Sequence, residues 1–402
     1  MINTIELFSG CGGLTDGFKQ SGHFNMLAGV EWDKNAIQAL RNRLEKKWQY
    51  KNVKDIMLHF DIQRINELLN GFDDIEYGTS NGLIDIVGKE KVTAIVGGPP
   101  CQAYSVAGRI RDEKGMHDDY RNFLFESYIK VVDYFQPEVC IFENVPGMLS
   151  AKPGGISIIE RVEKAFNDSG YFITRKLKQE AVFDTSKFGV PQKRLRVIIV
   201  AIRKASFENY EAKVDEFYQT MNSYTSEKIK DVDTAIGGLP KLYPLKAQVK
   251  KVSHYTEETV KNAFISDHTP RFHNARDIDI FHLLAKDIES EQFKYTHSDA
   301  LKQLYTEKTG KVSAVHKYHV LRKDKPSNTI PAHLYKDGLR HIHPDSEQAR
   351  TITVREAARL QTFDDDFEFS GGNGAKYKMI GNAVPPLFAK YIAKALNHTL
   401  EK

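Results

Sequence analysis

Five apolar runs in the first half of the chain, IELF, MLAGVEW, VTAIVGG, VCIFENV and RLRVIIVAI, constrain the fold more than any other feature. Each has strand length and is largely apolar along its whole extent rather than at every second residue. Helix-like segments separate them: Ala36, Ile37, Leu40, Leu44 and Trp48 recur at helical spacing, and NFLFESYIKVVDYF reads as a helix that ends before Pro137. Strands buried on both faces and alternating with helices imply a parallel sheet covered on each side. The expected class is therefore α/β, a doubly wound and mostly parallel sheet.

Between about residues 206 and 347 this order weakens. Turn signals such as GGLP and DKPSN appear, seven of the fourteen histidines fall between residues 205 and 320, and acidic and basic residues nearly balance. Regularity returns with TVREAARLQTF, which reads as a helix. A last helix from Leu387 buries Leu387, Phe388, Tyr391, Ile392, Ala395 and Leu396 on one face. A chain of 402 residues exceeds what one core usually holds. The expected division is a catalytic domain of residues 1–204 plus 376–402 and a smaller, irregular domain of residues 205–375.

Cys11, Cys101 and Cys140 lie too far apart for a disulfide framework or a zinc-binding pair. Reduced thiols suit an intracellular protein. The start MINTIELFSGCGG lacks signal-peptide character, and VIIVAI is too short to span a bilayer. A formal net charge of +4 leans only mildly toward polyanions.

Chemistry concentrates where the apolar runs end. FSGCGG places Gly10, Gly12 and Gly13 directly after the first strand, where glycine lets backbone approach a ligand. A bare strand–turn–helix also needs glycine, so this signal alone is weak. Glu31 closes the next strand, where doubly wound folds bind ribose hydroxyls, and Asp61 suits an adenine amino group. The arrangement fits nicotinamide or S-adenosylmethionine. The irregular glycine spacing favours the latter, as do Phe8 and Trp32, whose aromatic faces attract a sulfonium cation.

In GGPPCQAYS two prolines fix the backbone at a strand end and present Cys101 to the cleft. Glu143, ending VCIFE, reaches the same sheet edge, where partial desolvation lets a carboxyl hold a proton near neutrality. A thiol beside a protonatable acid suits covalent addition to an electron-poor ring. Gln192, Arg194 and Arg196 alternate as the chain enters the fifth run, so Arg194 and Arg196 share a face and are expected to enter the site together. Cys140, inside a strand, reads as a small buried hydrophobe.

These residues resemble the DNA (cytosine-5)-methyltransferases, in motifs and in their order. FSGCGG, PPCQAYS, ENV, QKRLR, RTITVREAARLQTF and GNAVPP run from Glu6 to Pro386, nearly the whole chain except the variable middle. The resemblance implies that Cys101 attacks cytosine C6, Glu143 protonates N3, and Arg196 holds O2 with Arg194 nearby. Gln102 and Ser105 of the nucleophile loop join the catalytic set. Phe8, Gly10, Gly12, Gly13, Glu31, Trp32, Asp61, Ile62, Pro100, Leu124, Asn382 and Val384 would contact S-adenosylmethionine, and no metal is expected. Tyr104 and Asp364 depart from the family's usual Phe and Pro, away from the chemistry.

Double-stranded DNA is the implied substrate. The target base must leave the stack, and the segment Val106–Gly115 is expected to close over it, with Arg109 and Arg111 near phosphates. The irregular middle would read base edges in the major groove. The setting implied is a restriction–modification system with a separate endonuclease, or an orphan methylase, in a cytoplasmic monomer of a prokaryote. An RNA cytosine-5 methyltransferase is the alternative. A zinc deaminase fails because Tyr104 stands where its second cysteine belongs, and a dehydrogenase leaves Cys101 and Glu143 without a purpose.

Overall fold

The computed structural model describes all residues except 101–123, 153–154, 245–254, 258–264, 315–317, 337 and 402. Ten strands matter here: β1 (Ile2–Leu7), β2 (Phe24–Glu31), β3 (Met57–His59), β4 (Phe72–Asp74), β5 (Gly78–Ser80), β6 (Ala94–Gly97), β7 (Val139–Asn144), β8 (Tyr171–Phe172), β9 (Val182–Asp184) and β10 (Leu195–Arg203). The central sheet runs β3-β2-β1-β6-β7-β10-β8, with β9 alongside β10. From β3 to β7 every neighbouring pair is parallel, so Phe8, Glu31, Gly98 and Asn144 all arrive at one edge.

The last long strand departs from the expectation that uniformly apolar strands here run parallel. β10 is antiparallel to β7, with Val197 opposite Asn144. Its apolar run reflects burial on both faces, which does not encode direction. The reversal has a consequence for chemistry: β10 starts, rather than ends, at the edge where β1, β2, β6 and β7 finish, and it brings Arg196 there.

The first helix, Gly13–Ser21, follows the FSGCGG turn and packs against the last helix, Pro386–Leu400. Contact is close enough to require glycine: a Cβ on Gly13 would lie 2.2 Å from the Val384 carbonyl oxygen. The last helix thus returns to the glycine turn that follows β1. Helix Tyr210–Ser223, which the sequence placed in the smaller unit, packs on β10 and the last helix, burying Val214, Phe217, Tyr218 and Met221 in the main core.

A second core joins Cys11, Ala36 and Ala39 to Ile352, Val354, Phe363, Phe367 and Tyr377. A third lies around helices Ala275–Glu289 and Ser298–Thr309, with Ile280, Phe281, Leu284, Leu301 and Leu304 against Tyr318, Val320 and Ile342. The middle region therefore contains a packed helical pair rather than only irregular chain. Arg43 ties the pieces together: its guanidinium binds Asp16 on the first helix (2.6 Å), Asp364 (2.7 Å) and Asp366 (2.5 Å). Asp364, noted as a departure from the family's proline, has its place in this ionic bridge.

Candidate active site

Glu143 is the last acidic group before β7 ends, and its carboxylate is buried. Arg196 on the neighbouring β10 reaches it with Nε 2.8 Å from Oε1. Burial pushes the Glu143 pKa up, while Arg196 and, more remotely, Arg194 pull it down; the net shift is upward. The carboxyl thus sits where a proton is held more readily than in water, beside a cation that orients it.

Gly98 packs directly on this group. A Cβ there would fall 2.5 Å from Glu143 Oε2, so any larger residue would displace the acid or the turn. The next residue contributes the fixing contact: the Asn144 side-chain amide donates to the Pro99 carbonyl (3.4 Å), and its own oxygen accepts the Val145 N–H (2.9 Å). Asn144 was not singled out from sequence; its signal was the amide beside the acid in FEN. Cys101, Gln102 and Ser105, with the expected closing segment Val106–Gly115 and Arg109 and Arg111, lie outside the described residues. Pro99 and Pro100 carry the chain to that point.

The expectation that both arginines enter the site is corrected for Arg194. Its side chain is fully buried and donates to the carbonyls of Ile330 (3.0 Å), Gly381 (2.7 Å) and Ala383 (3.0 Å). Residue 194 lies just before β10 begins, where the segment at Ile330 and the end of helix Asn373–Asn382 cover it. Gln192 extends the same junction: its amide donates to Gln361 Oε1 (2.9 Å) and its oxygen accepts the Ile330 N–H (2.9 Å). Gln361 in turn donates to the Ile380 carbonyl (2.6 Å). Three sequence motifs thus meet in one buried network that fixes the backbone of Ile380–Ala383.

The cofactor candidates gather along the same edge. Gly10 has φ +57°, and a Cβ there would meet nothing within 4 Å, so open space adjoins the turn. The Gly10 N–H donates to Glu31 Oε2 (2.8 Å) and the Asp33 N–H to Oε1 (2.7 Å), which aims the carboxylate across the turn. Asp61 follows β3 and accepts from the Gln63 N–H (3.0 Å). Ile62, Leu124 and Val384 are buried, Asn382 is exposed, and Trp32 beside Glu31 is 60% exposed. A glycine turn with free space, a carboxylate able to accept from a diol and an aromatic face open to solvent fit the adenosyl and sulfonium parts of S-adenosylmethionine.

Beneath the turn, Glu6 is wholly buried and takes a hydrogen bond from the Thr15 hydroxyl. Burial lifts its pKa from the ordinary 4.5 to about 8, against the lowering effect of Thr15. The folded chain therefore holds a proton that the unfolded chain has released. That contribution is complete at pH values below the unfolded pKa, falls away above it and is gone once the folded pKa near 8 is passed. Replacing Glu6 with glutamine is expected to flatten the decline of unfolding free energy between these limits, as read by urea titrations at several pH values.

Among the described residues no group of three or more histidine, cysteine or acidic side chains is placed to hold a metal ion, and no helix is long and apolar enough to cross a membrane. His268, His273, His341 and His343 are buried; His268 Nδ1 lies 3.0 Å from Thr353 Oγ1 and its Nε2 lies 2.8 Å from the Pro240 carbonyl. Cys11 and Cys140 are buried thiols whose pKa burial raises, so they are poor nucleophiles.

Comparison with known proteins places this geometry. The C-5 cytosine-specific DNA methylase family matches residues 2–398. The chain is 33% identical over 451 aligned residues to the type II methyltransferase M.Bpa9945I of Bacillus paralicheniformis, covering 98% of each. It is 28% identical to the type II methyltransferase M.DdeI of Desulfomicrobium norvegicum, covering 100% of this chain and 89% of that protein. The fold is also shared with the crystal structure of the Schizosaccharomyces pombe Dnmt2 methyltransferase, at a TM-score of 0.57 and 15% identity over 100% of both chains. With a mostly parallel sheet, and with the family model spanning residues 2–398, the chain belongs to the C-5 cytosine-specific DNA methylase family, the DNA cytosine methyltransferases of restriction–modification type.

Proposed function

We propose that the protein methylates C5 of cytosine within a specific sequence of double-stranded DNA, through a covalent adduct with Cys101. The observation that carries this reading is Glu143: buried, paired with Arg196, and pressed against the Gly98–Pro99–Pro100 turn that leads into Cys101. Cytosine C5 is not nucleophilic enough to take a methyl group unaided. Addition of the Cys101 sulfur at C6, with a proton passing from Glu143 to N3, turns the ring into an enamine with electron density at C5. Arg196 orients the carboxyl and would hold the base's O2. Once C5 carries the methyl, loss of the C5 proton to a base, return of the N3 proton to Glu143 and expulsion of the sulfur from C6 restore the aromatic ring, the acid and the thiolate.

S-adenosylmethionine supplies the electrophilic methyl group. Glu31, Asp61 and Trp32 would hold its adenosine, the Gly10–Gly13 turn and Phe8 its amino-acid end, and Pro100, Leu124, Asn382 and Val384 the walls. The target cytosine must leave the helix to meet these groups, at a cost of about a few kcal/mol. The middle region, with its own core, would supply sequence readout. A separate endonuclease and a cytoplasmic setting go with the restriction–modification type.

The test is to incubate the enzyme with labelled S-adenosylmethionine and either plasmid DNA or tRNA and to map modified cytosines. Label in duplex DNA at one sequence context, as 5-methylcytosine, is the expected result. Label in tRNA alone would overturn the DNA assignment.

A further inference from the structure

Trp32 raises a question that the reaction does not answer. Its indole is 60% exposed at the end of β2, where an aromatic ring has little packing to hold it. Its only polar handle, Nε1–H, donates to the Tyr77 hydroxyl at 3.1 Å. Tyr77 comes from the β4–β5 hairpin, which is not part of the central sheet.

The hairpin is tied down on several sides. Phe72 stacks on Phe60 with ring centroids 3.9 Å apart, and Tyr77 sets its edge against Phe60 (5.2 Å) and His59 (5.0 Å). Asp74 accepts the N–H groups of Glu76 (2.8 Å) and Tyr77 (3.1 Å), which shapes the turn, and pairs with Arg64 at 2.6 Å. His59 Nε2 lies 3.0 Å from the Trp32 carbonyl oxygen, holding the indole's backbone as Tyr77 holds its ring.

We propose that the Phe72–Ser80 hairpin is a cofactor clamp in which Tyr77 is a positioning residue, fixing the Trp32 indole in the orientation that receives the methyl donor. This rests on the reading of Trp32 as a cofactor contact. An indole already held in place loses less rotational freedom on binding, so the clamp acts on affinity for the donor. It does not touch the cytosine or the reacting carbon, so turnover at saturation is independent of it.

The experiment compares Tyr77→Phe, Asp74→Asn and Trp32→Ala with the parent enzyme, measuring kcat and the separate KM values for S-adenosylmethionine and DNA. Loss of one hydrogen bond predicts a rise of about three- to ten-fold in the donor KM for Tyr77→Phe, with kcat and the DNA KM unchanged. Asp74→Asn, which loosens the turn without altering the phenol, shifts the donor KM in the same direction. An unchanged donor KM in Tyr77→Phe, or a fall in kcat matching the fall in kcat/KM, overturns the clamp. Trp32→Ala separates the two ideas. If it raises the donor KM while Tyr77→Phe does not, the clamp alone is wrong. If Trp32→Ala itself leaves the donor KM unchanged, the reading of Trp32 fails and the clamp with it.

Discussion

Replacing Glu143 with glutamine is expected to lower methyl transfer by about a thousand-fold, within the range that general acid catalysis contributes. The amide keeps the shape and the hydrogen-bonding reach of the acid but has no proton to give to N3. Cys101→Ser should be lower still, because a hydroxyl at neutral pH is a far weaker nucleophile than a thiol that is partly ionised. Single-turnover transfer of label to plasmid DNA measures both. Glu143→Gln also leaves the Arg196 guanidinium buried without its counter-charge, so some stability is lost as well. Binding of S-adenosylhomocysteine at the assay temperature is the control for folding. A Glu143→Gln enzyme that binds this product normally and retains a tenth of parental activity or more would sink the assignment of Glu143 as proton donor.

The second large effect is on stability and concerns a buried ion pair at the start of helix Val354–Leu360. Arg350 and Glu356 form a bidentate pair, 2.7 Å at each contact, with both side chains 1% exposed. Glu356 also accepts the Thr353 N–H at 2.7 Å, closing a capping box at the start of helix Val354–Leu360. Glu356→Ala removes the counter-charge and the cap together, stranding a buried guanidinium, and is expected to cost about 3–5 kcal/mol. Urea unfolding measures it. Burial alone would raise the Glu356 pKa, but Arg350 outweighs it and holds the carboxyl well below the usual range. Its contribution to stability is therefore present above the ordinary carboxylate pKa and lost as pH falls toward the depressed folded value. The parent should lose stability on acidification more steeply than the alanine variant.

Legibility differed between elements for identifiable reasons. Five of the strands were readable as continuous apolar runs, and the helix at Lys34–Lys46 by its helical period. The helical pair at Ala275–Glu289 and Ser298–Thr309 was overlooked, although Ile280, Phe281, Leu284 and Ile288 have helical spacing, because histidines and charges dilute the stripe. Arg194 was misjudged by a rule that is sound within a strand. Residues two apart do share a face, but position 194 precedes β10, and what covers it, the segment at Ile330 and the end of helix Asn373–Asn382, lies beyond any local pattern.

By itself the sequence determined the alternation of buried strands and helices and the residue types at each strand end, because hydrophobic period and turn chemistry are local properties of a chain. Tertiary structure decided the rest. The direction of β10, the pairing of Arg196 with Glu143, the lock of Gly13 under Val384 and the seat of the Trp32 indole on Tyr77 all join residues far apart in the chain. Such contacts depend on which surfaces meet after the sheet is assembled, and no short window of sequence contains both partners.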